Sequence, residues 1–281
     1  MRRPSWKKRL VVHVGLVWVT AAVLYPILWV LKMALEPSQG FSMGLSPIPS
    51  AVTLDNFRDV LLAEDVRGRL FFRQALNSVV VSVATAFVGV SLAATAAYGI
   101  SRWDFPGKSQ ALGAFLVTQM FPGVVMAIPL YILLDTLGLL DAMAGLVLVY
   151  SATSVPFSVW MLKGYFDTLP RELEEAALMD GCSRWMIFVR IVLPLARPAL
   201  AVVALFSFLT AWNEFILAAT FMSDPRSYTL PVVLQAYVTD YGTEWGHFAA
   251  GSILVSLPAM GLFFALQKHL VEGLTAGGVK G

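Results

Sequence analysis

The stretch PRELEEAALMDGCSRWMIFVRIVLPLARP, residues 170–198, is a polar island in an otherwise oily chain. Asp167 and Thr168, just before it, offer helix N-caps, and Pro170 suits a first helical turn. Glu172, Glu174 and Glu175 then fall where the helix dipole favours negative charge. Leu173, Ala176 and Ala177 share a face of small side chains at helical spacing. Asp180-Gly181 is a stop-and-turn signal, and Ser183 caps a second helix that runs to Leu193 before Pro194 interrupts it. The stretch reads as helix, glycine turn, helix, with small residues where bulk would keep a partner away.

Outward from it the chain turns apolar. Of 281 residues, 58% are hydrophobic and only 14% charged, against about 25% charged in ordinary soluble domains. This is the composition of a polytopic membrane protein. About 20 apolar residues cross the hydrocarbon layer, and six runs qualify: roughly 10–32, 74–100, 109–134, 142–162, 198–221 and 248–268. The basic MRRPSWKKR at the start, followed by too long an apolar run for a signal peptide, predicts a retained first helix.

Lysine and arginine orient these spans. With residue 1 in the cytoplasm, the outer segments and helix edges hold Lys32, Arg58, Arg67, Arg69, Arg73 and Arg226, and the other fourteen of the twenty basic residues lie inside. Both termini and the 170–198 stretch are therefore expected in the cytoplasm. The outer side has two longer segments, roughly 35–73 and 222–247, neither long enough for a domain. The expected division is 1–73 (N-terminal segment, first helix and outer loop), 74–268 (five spans with the loop 163–197) and a tail, 269–281.

The apolar spans carry few polar groups. Glu214, beside Asn213 in AWNEF within the fifth span, is an ionisable group near hydrocarbon and so a candidate for a pathway or a polar lock between helices. It has no second acid or histidine in neighbouring spans, which argues against an ion-coupled carrier. Pro122, Pro129, Pro156 and Pro258 interrupt spans and predict fixed kinks that shape the bundle, with movement of a gate as the alternative. Gly89, Ala93 and Ala97 recur every four residues, flanked by Ala86 and Ala94, the spacing of close helix contact. Residue types in 237–245 suit sugar, with aromatic faces for pyranose rings and Gln235, Asp240 and Glu244 for hydroxyls; an interfacial aromatic belt is the plainer alternative.

Other chemistry is poorly supplied. One cysteine, Cys182, allows no intrachain disulfide or cysteine-based zinc site, and His13, His247 and His269 show no metal-ligand spacing. No metal site is expected, and no paired carboxylates mark a membrane enzyme. Gly107-Lys108-Ser109 mimics the end of a phosphate-binding loop, but Arg102 stands where its first glycine belongs. The five basic residues of the N-terminus anchor a helix at an anionic leaflet and do not suggest nucleic acid.

EAA at 175–177, then Gly181 and I-x-L-P at 191–194, resembles the cytoplasmic coupling loop of ABC-importer permeases. The segments QMFPGVVMAIPLYILLDTLGLLD (119–141), LVLVYSATSVPFSVWMLKGYF (146–166), AWNEFILA (211–218) and SYTLPVVLQ (227–235) are similar to the carbohydrate-importer permeases. The final GLTAGGVKG (273–281) resembles the end of maltose/maltodextrin permease subunits of the MalG type. This resemblance covers the chain from about residue 119 to its end. Cys182 stands where the family more often has alanine.

The resemblance implies an all-α membrane protein of six transmembrane helices, the type I importer permease fold, in a bacterial or archaeal cytoplasmic membrane. Glu175, Ala176, Ala177, Asp180, Gly181 and Pro194 would couple to an ATPase, and Gly277, Gly278 and Lys280 would enter the interface between ATPase subunits. Gln235, Tyr237, Tyr241 and Trp245 would probe the sugar on a docked binding protein. The implied partners are a second permease of the MalF type, a homodimeric ATPase of the MalK type, an extracytoplasmic sugar-binding protein and the lipid bilayer. The implied role is non-catalytic: ATP and magnesium are used by the ATPase subunits, and this chain binds no cofactor.

Overall fold

The computed structural model describes residues 6–41, 44–65, 68–239 and 242–278. In chain order the elements are α1 (Trp6–Leu35), α2 (Asp55–Leu62), β1 (Glu64–Asp65), β2 (Gly68–Arg69), α3 (Leu70–Arg102), α4 (Lys108–Thr118), α5 (Gly123–Thr136) and α6 (Met143–Phe166). After these come α7 (Glu172–Met179), α8 (Arg184–Ile187), a π-helical turn (Phe188–Val192), α9 (Leu193–Leu195), α10 (Arg197–Trp212), α11 (Ile216–Phe221) and α12 (Leu230–Gln235). The chain closes with β3 (Val238–Thr239), β4 (Gly242–Thr243) and α13 (Trp245–Gly278). The strands form two short antiparallel hairpins, which the sequence did not announce.

Among the described residues four helices are long and apolar enough to span a bilayer, within α1, α3, α6 and α13. Two more spans are broken. The expected helix 109–134 is α4 and α5, bent by 102°, because Pro122 leaves the helical conformation and caps α5. The expected helix 198–221 ends at Trp212 and resumes at Ile216, and α10 itself meets the preceding α8–α9 run at 81°. Six spans result if each bent pair counts as one.

The described residues form two compact units. The first comprises residues 1–72 and 233–256. Here Asn56, buried on α2, donates to the carbonyls of Ala34 and Glu36 and accepts from Gln39 Nε2 at 2.6 Å. Gln39 in turn accepts from the backbone N–H groups of Trp245 and His247. A Cβ at Gly246 would lie 2.8 Å from Asn56 Nδ2, so this backbone approach admits no side chain.

The second unit comprises residues 73–232 and 257–281. Its core runs along one face of α3: Ala93, Ala94 and Ala97 are buried with Val159, Leu162 and Phe166 of α6 and Val203 of α10. The small-residue repeat thus serves contact within this subunit, a point its spacing leaves open. At Gly89 a Cβ would fall 2.9 Å from Ser154 Oγ, and that hydroxyl is held by its bond to the Ser151 carbonyl. Gly89→Ala should therefore lower thermal stability by about 1–3 kcal/mol, and adding Ser154→Ala, which removes the clashing oxygen, should recover most of it. Detergent-phase thermal unfolding of the two variants checks this.

Candidate functional site

The 170–198 stretch folds as a short helix, a glycine turn and a second helix, but its entry differs from expectation. Asp167 is the C-cap of α6, the Thr168 hydroxyl bonds the Tyr165 carbonyl, and Pro170 is not helical. The helix starts at Glu172 with no side-chain cap. Asp167 is not free to cap because its carboxylate is taken by Lys163 Nζ and Ser101 Oγ, each at 2.6 Å. Ser183 does cap α8, accepting from the Met186 N–H. Beyond it the predicted continuous helix loosens into the π-helical turn before Pro194.

Helical periodicity divides α7 into two faces. Glu172, Glu175, Ala176 and Met179 are exposed, while Glu174 and Ala177 are buried. Met179 is 89% exposed, high for so apolar a side chain. At the end of α7 the Cys182 N–H bonds the Ala177 carbonyl and the Gly181 N–H that of Leu178, the Schellman pattern. It requires Gly181 at φ +83°, with open space where a Cβ would go. The cost of a side chain there is thus conformational, about 1–2 kcal/mol. Asp180, Gly181 and Pro194 are exposed with the outward face, so of the six predicted coupling residues Ala177 alone points into the core.

What holds that face in place is Glu174, which the sequence distinguishes only as one of three acids in a first turn. Glu174 accepts from Arg102 Nε at 2.6 Å and from the Tyr98 hydroxyl at 2.6 Å, and both ions are nearly buried. Arg102 also reaches Ser101 Oγ and the Leu169 carbonyl, and Arg171 donates to the Ser101 carbonyl. The network ties α7 to the ends of α3 and α6. Burial, the largest single influence, pushes the Asp167 pKa up. The hydrogen bonds from Lys163 and Ser101, with the charges of Lys163 and Arg102, outweigh it, and the net shift is downward.

In the fifth span, Asn213 is exposed at the end of α10 and Glu214 turns away from it. Glu214 accepts from the Tyr150 hydroxyl at 2.6 Å and from the N–H groups of Leu217 at 2.8 Å and Ala218 at 3.0 Å. It therefore supplies acceptors where the span is broken. On the first unit, Tyr237 is half-buried with its ring 5.7 Å from that of His247, and its pKa is raised by burial and by Glu244 and Asp59. The Trp245 ring packs edge-on to Phe41 at 4.9 Å, as an anchor. Gln235 is exposed, and Tyr241 lies outside the described residues. Gly277 and Gly278 are the last residues of α13, and Lys280 lies outside the described residues. Among the described residues no cluster of three or more metal-ligating side chains occurs.

Residues 87–275 match the family model for the inner membrane component of binding-protein-dependent transport systems. The chain belongs to this family. Its relatives include the maltose/maltodextrin transport system permease protein MalG of Salmonella typhimurium, 39% identical over 99% of this chain and 98% of that one. The trehalose transport system permease protein SugB of Mycobacterium tuberculosis is 34% identical over 94% of each, and the galactooligosaccharides permease protein GanQ of Bacillus subtilis is 35% identical over 95% and 93%. The fold matches a chain in the crystal structure of a bacterial ABC transporter involved in import of the acidic polysaccharide alginate. The TM-score is 0.78 at 21% identity, covering 96% of this chain and all of that one. This permease component is a multi-pass inner-membrane protein with the type I importer fold.

Two tests follow from the clamp. Glu174→Gln leaves Arg102 buried without its carboxylate and should cost about 3–5 kcal/mol. The Arg102→Met/Glu174→Leu double variant should cost less than either single change, as thermal unfolding would read. For Asp167, a folded pKa below the ordinary 3.8 means its tie is complete at neutral pH and is lost as pH falls through the lowered value. Unfolding curves of the wild type and Asp167→Asn should differ at pH 7 and converge in acid.

Proposed function

We propose that this chain is one of two membrane subunits of an ATP-driven importer for maltose or maltodextrins, coupled to its ATPase through α7. The observation that carries the coupling is the exposed row Glu172, Glu175, Ala176 and Met179, backed by the buried Glu174–Arg102 pair. A helix that is clamped on one side and bare on the other offers its bare side to a soluble partner. Ala176 allows close approach, and Gly181 sets the angle to the following helix.

In this reading both termini and α7 face the cytoplasm, as the lysine and arginine distribution suggests. A homodimeric ATPase of the MalK type binds the ATP and magnesium, and this chain binds no cofactor. A second permease of the MalF type completes the pathway, and an extracytoplasmic sugar-binding protein delivers the substrate near Gln235, Tyr237, Tyr241 and Trp245. Gly277, Gly278 and Lys280 extend toward the ATPase interface. Closure of the ATPase on ATP moves α7 and switches the spans between inward-open and outward-open. Glu214 serves as a polar lock, because its acceptors are occupied by Tyr150 and the start of α11.

Support for maltodextrin comes from the GLTAGGVKG ending and the 39% identity to a maltose/maltodextrin permease along nearly the whole chain. The trehalose and galactooligosaccharide relatives, at 34% and 35%, support a different carbohydrate with the same mechanism. The test is ATP hydrolysis by the reconstituted complex with its binding protein, with each sugar in turn. Maltose is expected to stimulate hydrolysis, and Gly181→Trp to reduce that stimulation at least about tenfold, a factor worth ~1.4 kcal/mol. Stimulation by trehalose alone would replace the substrate; no binding of an ATPase would remove the reading.

A further inference from the structure

Beside the clamp, the end of α3 and the start of α8 enclose an open cavity of ≈ 190 Å³ lined by Thr95, Tyr98, Trp103, Arg184, Trp185 and Phe188. Its walls are aromatic rings packed on one another: Tyr98 on Phe188 at 4.8 Å, Tyr98 on Trp103 at 5.4 Å and Trp185 on Phe188 at 5.5 Å. One cation enters it, the Arg184 guanidinium, 5.6 Å from the Trp103 ring. The nearest carboxylate of the clamp, Glu174, is committed to Arg102 and Tyr98. Among the described residues no carboxylate lies within 4 Å of Arg184. The cavity therefore keeps a net positive charge on an aromatic floor.

The depth of the cavity follows from α3. Its outward apolar side chains run from Phe72 through Leu76, Val83 and Phe87 to Leu92. That span is about 30 Å at ~1.5 Å per residue, the thickness of the hydrocarbon layer. Thr95 to Trp103 come after it, at headgroup level on the side of the coupling loop. Tryptophan and tyrosine gather at that level, and basic pockets between helices there hold anionic headgroups.

We propose that this cavity is a binding site for an anionic phospholipid of the leaflet on the coupling-loop side. The phosphate pairs with Arg184, the glycerol region lies against Trp103 and Trp185, and the acyl chains follow the exposed apolar face of α3 toward Leu92. A soluble anion would gain only the Arg184 contact, whereas a lipid adds burial of its glycerol region and acyl chains against the rings and α3. The site needs only the membrane placement of the chain, and is independent of which sugar is carried. It would place a lipid against Tyr98, which donates to Glu174, and against Phe188, which packs on Tyr98, so lipid composition would bear on how firmly α7 is held.

The test presents the purified full chain with equimolar phosphatidylglycerol and phosphatidylcholine, and counts retained lipid by native mass spectrometry. Phosphatidylglycerol is expected to be retained about fivefold over phosphatidylcholine, the scale of one interfacial basic contact. Arg184→Gln should bring the ratio to near one, and Arg184→Lys, which keeps the charge in the same fold, should retain part of it. Arg190→Gln, an exposed arginine outside the cavity, should leave it unchanged. Inorganic phosphate at millimolar concentration should not displace the lipid. Equal loss in the Arg184 and Arg190 variants, no initial preference, or displacement by phosphate would each overturn the proposal.

Discussion

The buried pair between Arg102 and Glu174 is the constraint on which the α7 end of this structure turns. Removing both ions from water costs several kcal/mol each, and their attraction offsets this only if every other valence is filled. Here Tyr98 supplies Glu174 with a second donor, and Arg102 Nη1 and Nη2 donate to Ser101 Oγ and the Leu169 carbonyl. Packed leucines would hold α7 as tightly, but they would leave it free to rotate or slide. A charge pair with an added hydroxyl donor has one geometry. It fixes which side of α7 faces inward, and therefore that Glu175, Ala176 and Met179 face outward.

The broken spans answer the other constraint of a membrane, that no backbone group be left unpaired in hydrocarbon. Around Pro122 the chain closes on itself with short-range bonds, Gln119 and Met120 to the carbonyls of Leu116 and Val117, and Gln119 Nε2 reaches the Thr153 carbonyl. At residues 213–215 the acceptor is a side chain, Glu214. At the opposite end of the second unit, the first turns of α3 do similar service. Gln74 and Asn77 donate to the carbonyls of Pro225, Arg226 and Tyr228, and Ser78 accepts from the Leu230 N–H. Asp141 accepts from the N–H groups of Ser223 and Asp224. Polar side chains in this protein are chiefly occupied with its backbone.

That explains what the sequence disclosed and what it withheld. Spans, their number and the helix–turn–helix between them are composition and periodicity, which are local. The glycine turn at 181 was legible because a left-handed residue at a helix end has one cheap solution. The break at Pro122 was visible as a proline but not as a 102° corner, since a proline kinks or ends a helix according to what neighbouring helices supply. The role of Glu174 was illegible: in sequence it is one of three glutamates in a first turn, and only its partners, 72 and 76 residues away, single it out. Asp167 misled for the same reason, its carboxylate having better donors than a helix start.

If α7 receives the push proposed above, its contacts set how that push travels. On the input side the connections are stiff: a capped glycine turn, a buried ion pair, a second carboxylate shared between Lys163 and Ser101, and rings of Tyr98, Trp103 and Phe188 in contact. These lead straight to the ends of α3 and α6. The covalent route from α8 to α10 is less regular, passing through a π-helical turn and an 81° corner, while α10 also packs directly on α3 and α6 through Val203. Under the coupling proposed above, a displacement entering at Glu175, Ala176 and Met179 would pass to α3 and α6 through these contacts, and to α10 both through its packing on α6 and through the irregular turn. The polar contacts thus join α7 to the ends of α3 and α6, and the helix geometry is irregular between α8 and α10.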